Sequence, residues 1–231
     1  MARTIVVTGG FGALGSAVGH GFDNGLDRVV LLDRAPSPPR ELRDRASERF
    51  VLIGGTDLTD ADSARRAITE AAGSDGKIHV LVNVAGGFAW QRLEEGSTDV
   101  WQKMFAINLA TAVTATHAAL PYLLAAGGAR VINIGAGAAA RAAAGMGAYT
   151  ASKAGVERFT ESLADELKDR GITVNAILPG TIDTPANRAD MPDADHSRWV
   201  APADIASVIV FLASSAAQAV NGAAIRVAGR G

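Results

Sequence analysis

Cysteine is missing from all 231 residues, which excludes a disulfide framework, a thiolate nucleophile and any sulfur-ligated metal. Chemistry must come from oxygen and nitrogen side chains. No cluster of His, Asp and Glu stands at metal-ligand spacing either, so no metal is expected. Charge of one sign is not in excess: 22 Lys and Arg stand against 24 Asp and Glu, a formal net charge of -2. Without a basic block, nothing draws the chain to nucleic acid or to anionic lipid. Long hydrophobic runs are absent too. The Ala-rich tract is broken by His117, Pro121, Arg130 and Asn133, short of the roughly 20 apolar residues of a membrane helix. The opening Met1 to Val7 is too short for a signal-peptide core, and a cytoplasmic location is the expectation.

What is present is a rhythm. Apolar runs recur at Thr4 to Val7, Arg28 to Leu32, Phe50 to Ile53, His79 to Val82, Arg130 to Ile134, Thr173 to Leu178 and Ala224 to Val227. Most are apolar on consecutive residues, the mark of parallel strands covered on both faces. Between them, helical segments are predicted at about 13–24, 60–72, 98–125, 148–170 and 202–213. Thr59 and Asp60 can cap the second helix, Gly73 closes it, Gly171 ends the fourth, and Pro202 suits the first turn of the fifth. The pattern predicts an α/β fold: a doubly wound (Rossmann) parallel sheet of seven strands with helices on both faces. No repeat or long linker divides the chain, so residues 1–231 are read as one domain. Arg34 to Arg40, with three prolines, reads as a surface loop. The polar stretch at about 181–200 reads as a substrate lid, because ligands in such sheets sit beyond the carboxyl ends of the strands.

The first strand runs into Thr8-Gly9-Gly10-Phe11-Gly12-Ala13-Leu14-Gly15 and then becomes helical. Such a turn lets backbone N–H groups approach a pyrophosphate at the positive end of a helix. A purely structural glycine turn would look the same. Asp33 closes the second strand, where a carboxylate can accept from both ribose hydroxyls and would repel a 2'-phosphate, favouring NAD (NADH) over NADP. Arg34 can stack on adenine or meet a phosphate. Asp33 as a plain loop cap is the alternative.

Thr8-Gly9 with Gly15, Asp57-Leu58, Asn83-Val84-Ala85-Gly86, Asn108, Tyr149-Thr-Ala-Ser-Lys153, and Pro179-Gly180 with Thr184 fall in an order that resembles the classical short-chain dehydrogenases/reductases across nearly the whole chain. The resemblance implies a nicotinamide site. Phe11, Gly12, Ala13 and Leu14 would border the pyrophosphate, Asp57 and Leu58 the adenine, and Asn83, Ala85 and Gly86 the rest of the cofactor. Pro179, Gly180, Ile182 and Thr184 would meet the carboxamide end. Tyr149 and Lys153 would handle the proton, Lys153 also holding the nicotinamide ribose, and Asn108 would keep a water in the relay. A homodimer or homotetramer built on the two long helices is implied as well.

Tyr149 and Lys153 are one helical turn apart and so share a helix face. An ammonium about 5 Å from a phenol, at an effective dielectric near 20, favours the phenolate by about 3 kcal/mol, roughly two pKa units. An isolated Tyr-x-x-x-Lys could equally be packing plus a solvated lysine. Where most of the family offers a serine hydroxyl to the substrate carbonyl, this chain has Ala136, which cannot donate. A plain ketone then becomes a poor substrate, and an activated C=N or quinonoid ring a better one. The chain is also similar to the quinonoid dihydropteridine reductase branch at Gly9–Ser16, Val84–Gly87, Gly135–Ala139, Gly145–Tyr149 and 183–199, although Asn108 follows the wider family more than that branch. Gly87, Phe88, Ala136, Met146, Met191 and Trp199, with Trp90, are expected to converge on the substrate. Two other readings stay open: a general carbonyl or alcohol dehydrogenase that manages without serine, and a non-catalytic NAD-binding sensor.

Overall fold

A computed structural model describes residues 2–230; Met1 and Gly231, the two ends of the expected domain, lie outside the described residues. The chain runs through β1 (Thr4–Thr8), α1 (Ala13–Phe22), β2 (Arg28–Leu32), α2 (Arg40–Arg43), β3 (Phe50–Ile53), α3 (Ala61–Ala72), β4 (Val80–Asn83), α4 (Asp99–Phe105), α5 (Thr111–Ala126), β5 (Arg130–Ile134), α6 (Gly147–Leu167), β6 (Thr173–Pro179), α7 (Pro185–Asp190), α8 (Pro202–Leu212) and β7 (Ala224–Val227). The seven strands are all parallel, in the order β3-β2-β1-β4-β5-β6-β7. Strand order reverses between β1 and β4. There the exits of two neighbouring strands diverge and leave a crevice for a ligand.

Consecutive apolar residues are needed because each strand is buried twice. Ile5, Val7, Val29, Leu31, Val82 and Ile132 face α1 and α8, and pack on Val18, Phe22, Ile205 and Ile209. Their neighbours Val6, Val30, Leu81, Val131 and Val174 face the opposite layer of α3, α5 and α6, with Ile68, Leu123 and Leu163. The side-chain period of two is present but hidden, since both phases are apolar.

One polar row crosses the second layer. Asn83 Nδ2 donates to Thr116 Oγ1 at 3.0 Å and to Asn133 Oδ1 at 2.8 Å, and Asn133 Nδ2 donates to Thr160 Oγ1 at 2.9 Å. The row fastens α5 to β4, β5 and α6. Asn133 has no exposure at all, so Asn133→Ala removes one acceptor from Asn83 Nδ2, which keeps Thr116, and the donor to Thr160 Oγ1, which keeps its bond to Val156 O. A loss of roughly 1–3 kcal/mol is expected, read as a lowered denaturant midpoint with an unchanged slope.

The local signals hold unevenly. Asp60 caps α3 by accepting from Ser63 N, whereas Thr59 gives its hydroxyl to Asp57 and caps nothing. Gly73 (φ 62°) and Gly171 (φ 71°) end their helices in backbone conformations that favour glycine. Two stretches read as irregular contain short helices: α2 begins at the last residue of the proline loop, and α7 lies in the polar stretch 181–200, with Thr184 as cap and Pro185 opening its first turn. The run Asp99–Ala126 is long and apolar enough, by length and composition, to cross a membrane. Its inner face carries Asn108, Thr111 and Thr116, all buried, and Ala115, Ala119 and Leu123 in the core. One face of it packs in the core, and Trp101, Phe105 and Val113 are exposed.

Candidate active site

The glycine turn is built by exclusion. A Cβ on Gly15 would stand 2.1 Å from Gly9 O, and one on Gly10 would stand 2.5 Å from the Leu31 side chain. Gly9, at φ +63°, lies so close to β4 that a Cβ would meet the Ala85 backbone at 2.9 Å. Gly12 is the N-cap of α1 and offers no side-chain cap, which leaves the leading N–H groups of the helix directed outward. The turn therefore fits a dinucleotide pyrophosphate. Asp33 reinforces it: Oδ2 accepts from Phe11 N at 2.9 Å and Oδ1 from Ala35 N at 2.9 Å. Each oxygen keeps a further lone pair for a ligand hydroxyl. We expect Gly15→Ala to abolish measurable dinucleotide binding, by calorimetry, because backbone and not a flexible side chain would have to move.

Around the turn the expected residues gather. Thr8 Oγ1 accepts from Val84 N and Ala85 N, both at 3.1 Å, and so joins the exits of β1 and β4. Asp57 Oδ1 accepts from the Thr59 hydroxyl and amide, which hold its carboxyl below the usual range. Leu58 is buried against Ala64, Ala115 and Ala85. The Asn83 side chain is engaged in the polar row described above, with Thr116 and Asn133, so it is through its backbone that Asn83 adjoins the turn.

The helix from Asp99 to Ala126 contains one wide π turn at Ala106–Ala110, with Asn108 in its middle. The Asn108 side chain is fully engaged: Oδ1 accepts from Gly87 N at 2.9 Å, while Nδ2 donates to Gly87 O at 3.1 Å and to Ser152 Oγ at 3.0 Å. The Ser152 hydroxyl in turn donates to Tyr149 O at 2.7 Å. Lys153 is buried and its Nζ donates to Ile134 O at 2.7 Å, just beyond the sheet face. A Cβ on Gly86 would lie 2.6 Å from Asn108 Oδ1 and 3.4 Å from Lys153 Nζ. Gly86, Asn108 and Lys153 thus share one small space beside the glycine turn. Tyr149 stands half-buried at its edge, with the Phe88 ring set edge-on at 5.0 Å between centroids.

The electrostatics reverse the sequence expectation. Burial raises the Tyr149 phenol above its ordinary value, and burial lowers the Lys153 ammonium to about 8. The attraction reckoned at an effective dielectric near 20 left out the cost of removing both groups from water. One of the three ammonium N–H groups is taken by the Ile134 carbonyl, which leaves two for a ligand. In the protein alone, the phenol is neutral at pH 7.

Ala136 lies two residues past Ile134, buried, at the start of a short turn (Gly137–Ala140). Gly137 packs so near β6 that a Cβ would lie 3.2 Å from Pro179 O. Gly180 donates to Val227 O, and Ile182 pairs with Val200 as an isolated bridge that joins the two ends of the polar stretch 181–200. Thr184 caps α7, and Asn187 Nδ2 ties it back to Ile182 O at 2.7 Å. Asp183 and Arg188 form a two-pronged ion pair across α7.

Not all the expected substrate residues meet. Gly87 and Phe88 border Asn108 and Tyr149, but Trp199 packs on His196, with ring centroids 4.4 Å apart, and Met191 is exposed. Among the described residues, no ring contact or hydrogen bond joins Met191 or Trp199 to Phe88 or Tyr149. The hydrogen bonds of the polar stretch 181–200 run within it and to the tail, where Arg230 N donates to Arg198 O.

Sequence reasoning missed a clamp on the other wall. Trp90 Nε1 donates to Ala144 O at 3.0 Å and Gln91 N to Gly145 O at 2.8 Å, and the Trp90 ring covers Gly145 so closely that a Cβ there would sit 2.3 Å from it. Gly145, at φ +78°, allows both the turn and the contact. Met146, next in line, opens α6. Ser152 and the Ile134 carbonyl were also missed: a hydroxyl beside a lysine and a backbone oxygen carry no periodicity to betray them.

The described short chain dehydrogenase family matches residues 3–195. A 2,5-dichloro-2,5-cyclohexadiene-1,4-diol dehydrogenase of Sphingobium indicum is 31% identical over 237 residues, covering 98% of this chain and 95% of that protein. An L-rhamnose 1-dehydrogenase (NAD(P)(+)) of Sphingomonas is 30% identical over 243 residues, covering 98% and 95%. Among solved structures, a short-chain type dehydrogenase/reductase of Mycobacterium ulcerans superposes with a TM-score of 0.90 at 27% identity, covering 99% of this chain and 89% of that one.

Proposed function

The chain belongs to the short-chain dehydrogenase family, and we propose that it is an NAD(H)-dependent oxidoreductase whose preferred substrate is an activated C=N or quinonoid ring, of which quinonoid dihydropterin is the type. One observation supports the substrate reading: Ala136, buried, has a methyl at the position where the family resemblance implies a hydroxyl that polarises a carbonyl. A ring whose electron deficiency is built in needs a proton donor and little else. Tyr149 is that donor in this reading, its phenol neutral at pH 7 and next to Phe88. A bound nicotinamide would supply the hydride. Asp33 favours NAD over NADP, because its carboxylate closes the space a 2'-phosphate needs. Residues 181–200 act as the lid of a single domain, and exposed Trp101, Phe105 and Val113 on the long helix support self-association into a homodimer or homotetramer.

The decisive assay follows NADH oxidation with quinonoid dihydropterin against a panel of simple ketones. Faster turnover of the ketones would sink the substrate reading. A second reading has its own support, since the relatives above are named for a cyclic diene-diol and for a sugar. There a neighbouring substrate hydroxyl replaces the missing serine. NAD reduction with cyclic diols or aldoses, exceeding the dihydropterin rate, would favour it.

Lys153 offers a test of the cofactor half. Its ammonium holds the ribose hydroxyls in this proposal, and burial has lowered it to about 8. Dinucleotide affinity is expected to fall as the pH rises through that value, and Lys153→Met to be weak and flat with pH. Stability should move the other way. Between about 8 and the ordinary 10.5 the unfolded chain binds more protons at this position than the folded one, so the contribution of Lys153 to stability improves as pH climbs through the window. Affinity that tracks stability instead would remove Lys153 from the binding site.

A further inference from the structure

At the opposite end of the sheet, where β5 and β6 begin, a cavity of about 440 Å³ is lined by Arg130, Lys168, Thr173, Gln218 and Asn221 and by the backbone of Gly127 and Gly128. Arg130 and Thr173 open their strands as register partners. Side chains of paired residues in parallel strands leave the sheet on the same face, so guanidinium and hydroxyl stand side by side. Two of their polar atoms are buried without a hydrogen bond: Arg130 Nε and Thr173 Oγ1. Thr173 as a whole is 9% exposed.

The guanidinium is oriented. Its Nη1 donates to Gly128 O at 2.9 Å and Ala129 O at 3.0 Å, and the positive-φ Gly127 and Gly128 turn the chain to present those carbonyls. That leaves the Nε and Nη2 edge, the side that offers two parallel N–H groups to two oxygens of one anion. Among the described residues Arg130 has no carboxylate partner, while Lys168 is neutralised by Asp165 at 2.5 Å and Arg3 by Asp27 at 2.7 Å. Burial, with Arg3 nearby, disfavours the Arg130 cation. An anion at the free edge would remove that cost. Asn221 is not free to compete, since it accepts from Val174 N and donates to Ala164 O.

We infer that this end of the sheet is a second binding site, for a small oxyanion held by the Nε/Nη2 edge of Arg130 and by the Thr173 hydroxyl. A phosphate monoester and a carboxylate share the required chemistry. The site is remote from the glycine turn, which lies at the carboxyl ends of the strands.

The test is a thermal-shift and calorimetric titration of the full chain with inorganic phosphate and with acetate, against sodium chloride at matched ionic strength. A saturable rise in Tm beyond that of chloride is expected. Arg130→Gln should abolish it, and the isosteric Thr173→Val, which keeps the fold if Arg130→Gln does not, should weaken the Kd about fivefold. Tighter phosphate assigns a phosphate ligand and tighter acetate a carboxylate, and either supports the site. An effect no larger than that of chloride overturns it. So does a phosphate shift unchanged in Thr173→Val, which would place the ion at the glycine turn.

Discussion

Tyr149→Phe is expected to lower turnover by roughly 10²–10⁴-fold, the usual contribution of a positioned proton donor, and to leave NADH affinity within about twofold. The reason lies in how the ring is held. Phe88 meets its edge at 5.0 Å, and the neighbouring backbone is fixed from Ser152 through the Tyr149 carbonyl. None of these contacts uses the phenolic oxygen, so the phenylalanine ring keeps the same place and only the proton is lost. Among the described residues the Tyr149 hydroxyl makes no hydrogen bond within the protein, which leaves it for a substrate. Steady-state rates and calorimetric NADH titration of the same preparation separate the outcomes. Full turnover in the variant would move the proton donor elsewhere. No turnover in either protein, with NADH bound by both, would point to a sensor and not an enzyme.

The scaffold was legible because each strand announces itself in a run of branched apolar residues and each helix in its spacing. Four of the seven strands, β2, β3, β5 and β7, begin and end where the sequence pattern puts them. The glycine turn was legible for a similar reason: Gly9 and Gly15 are required by backbone approach, and no other residue type fits. What escaped is made by single hydrogen bonds between distant segments. The π turn at Asn108 leaves no pattern, because one extra residue in a helix shifts the phase without changing composition. The partners of the Asn83 side chain escaped too: period two puts it on the face of Leu81, where it meets Thr116 and Asn133. The direction of the Tyr149 shift was misjudged for a physical reason: attraction to Lys153 could be estimated from spacing, but burial could not.

The second large effect concerns Ala136. Ala136 is 5% exposed, and a serine there adds one oxygen at the start of the Gly137–Ala140 turn. Ala136→Ser is expected to raise the rate on simple ketones at least tenfold, toward the roughly 10²–10³ that one oxyanion donor supplies. The rate on a quinonoid ring should change far less, since its reduction is not limited by carbonyl polarisation. The ratio of the two rates is therefore the informative quantity, because a general loss of stability from a buried hydroxyl lowers both together. An increase confined to ketones means the proton donor and cofactor site are complete and only polarisation is missing. Equal changes on both substrates would mean that the Ala136 side chain does not face the reacting carbon, and the preference for an activated ring would lose its physical ground.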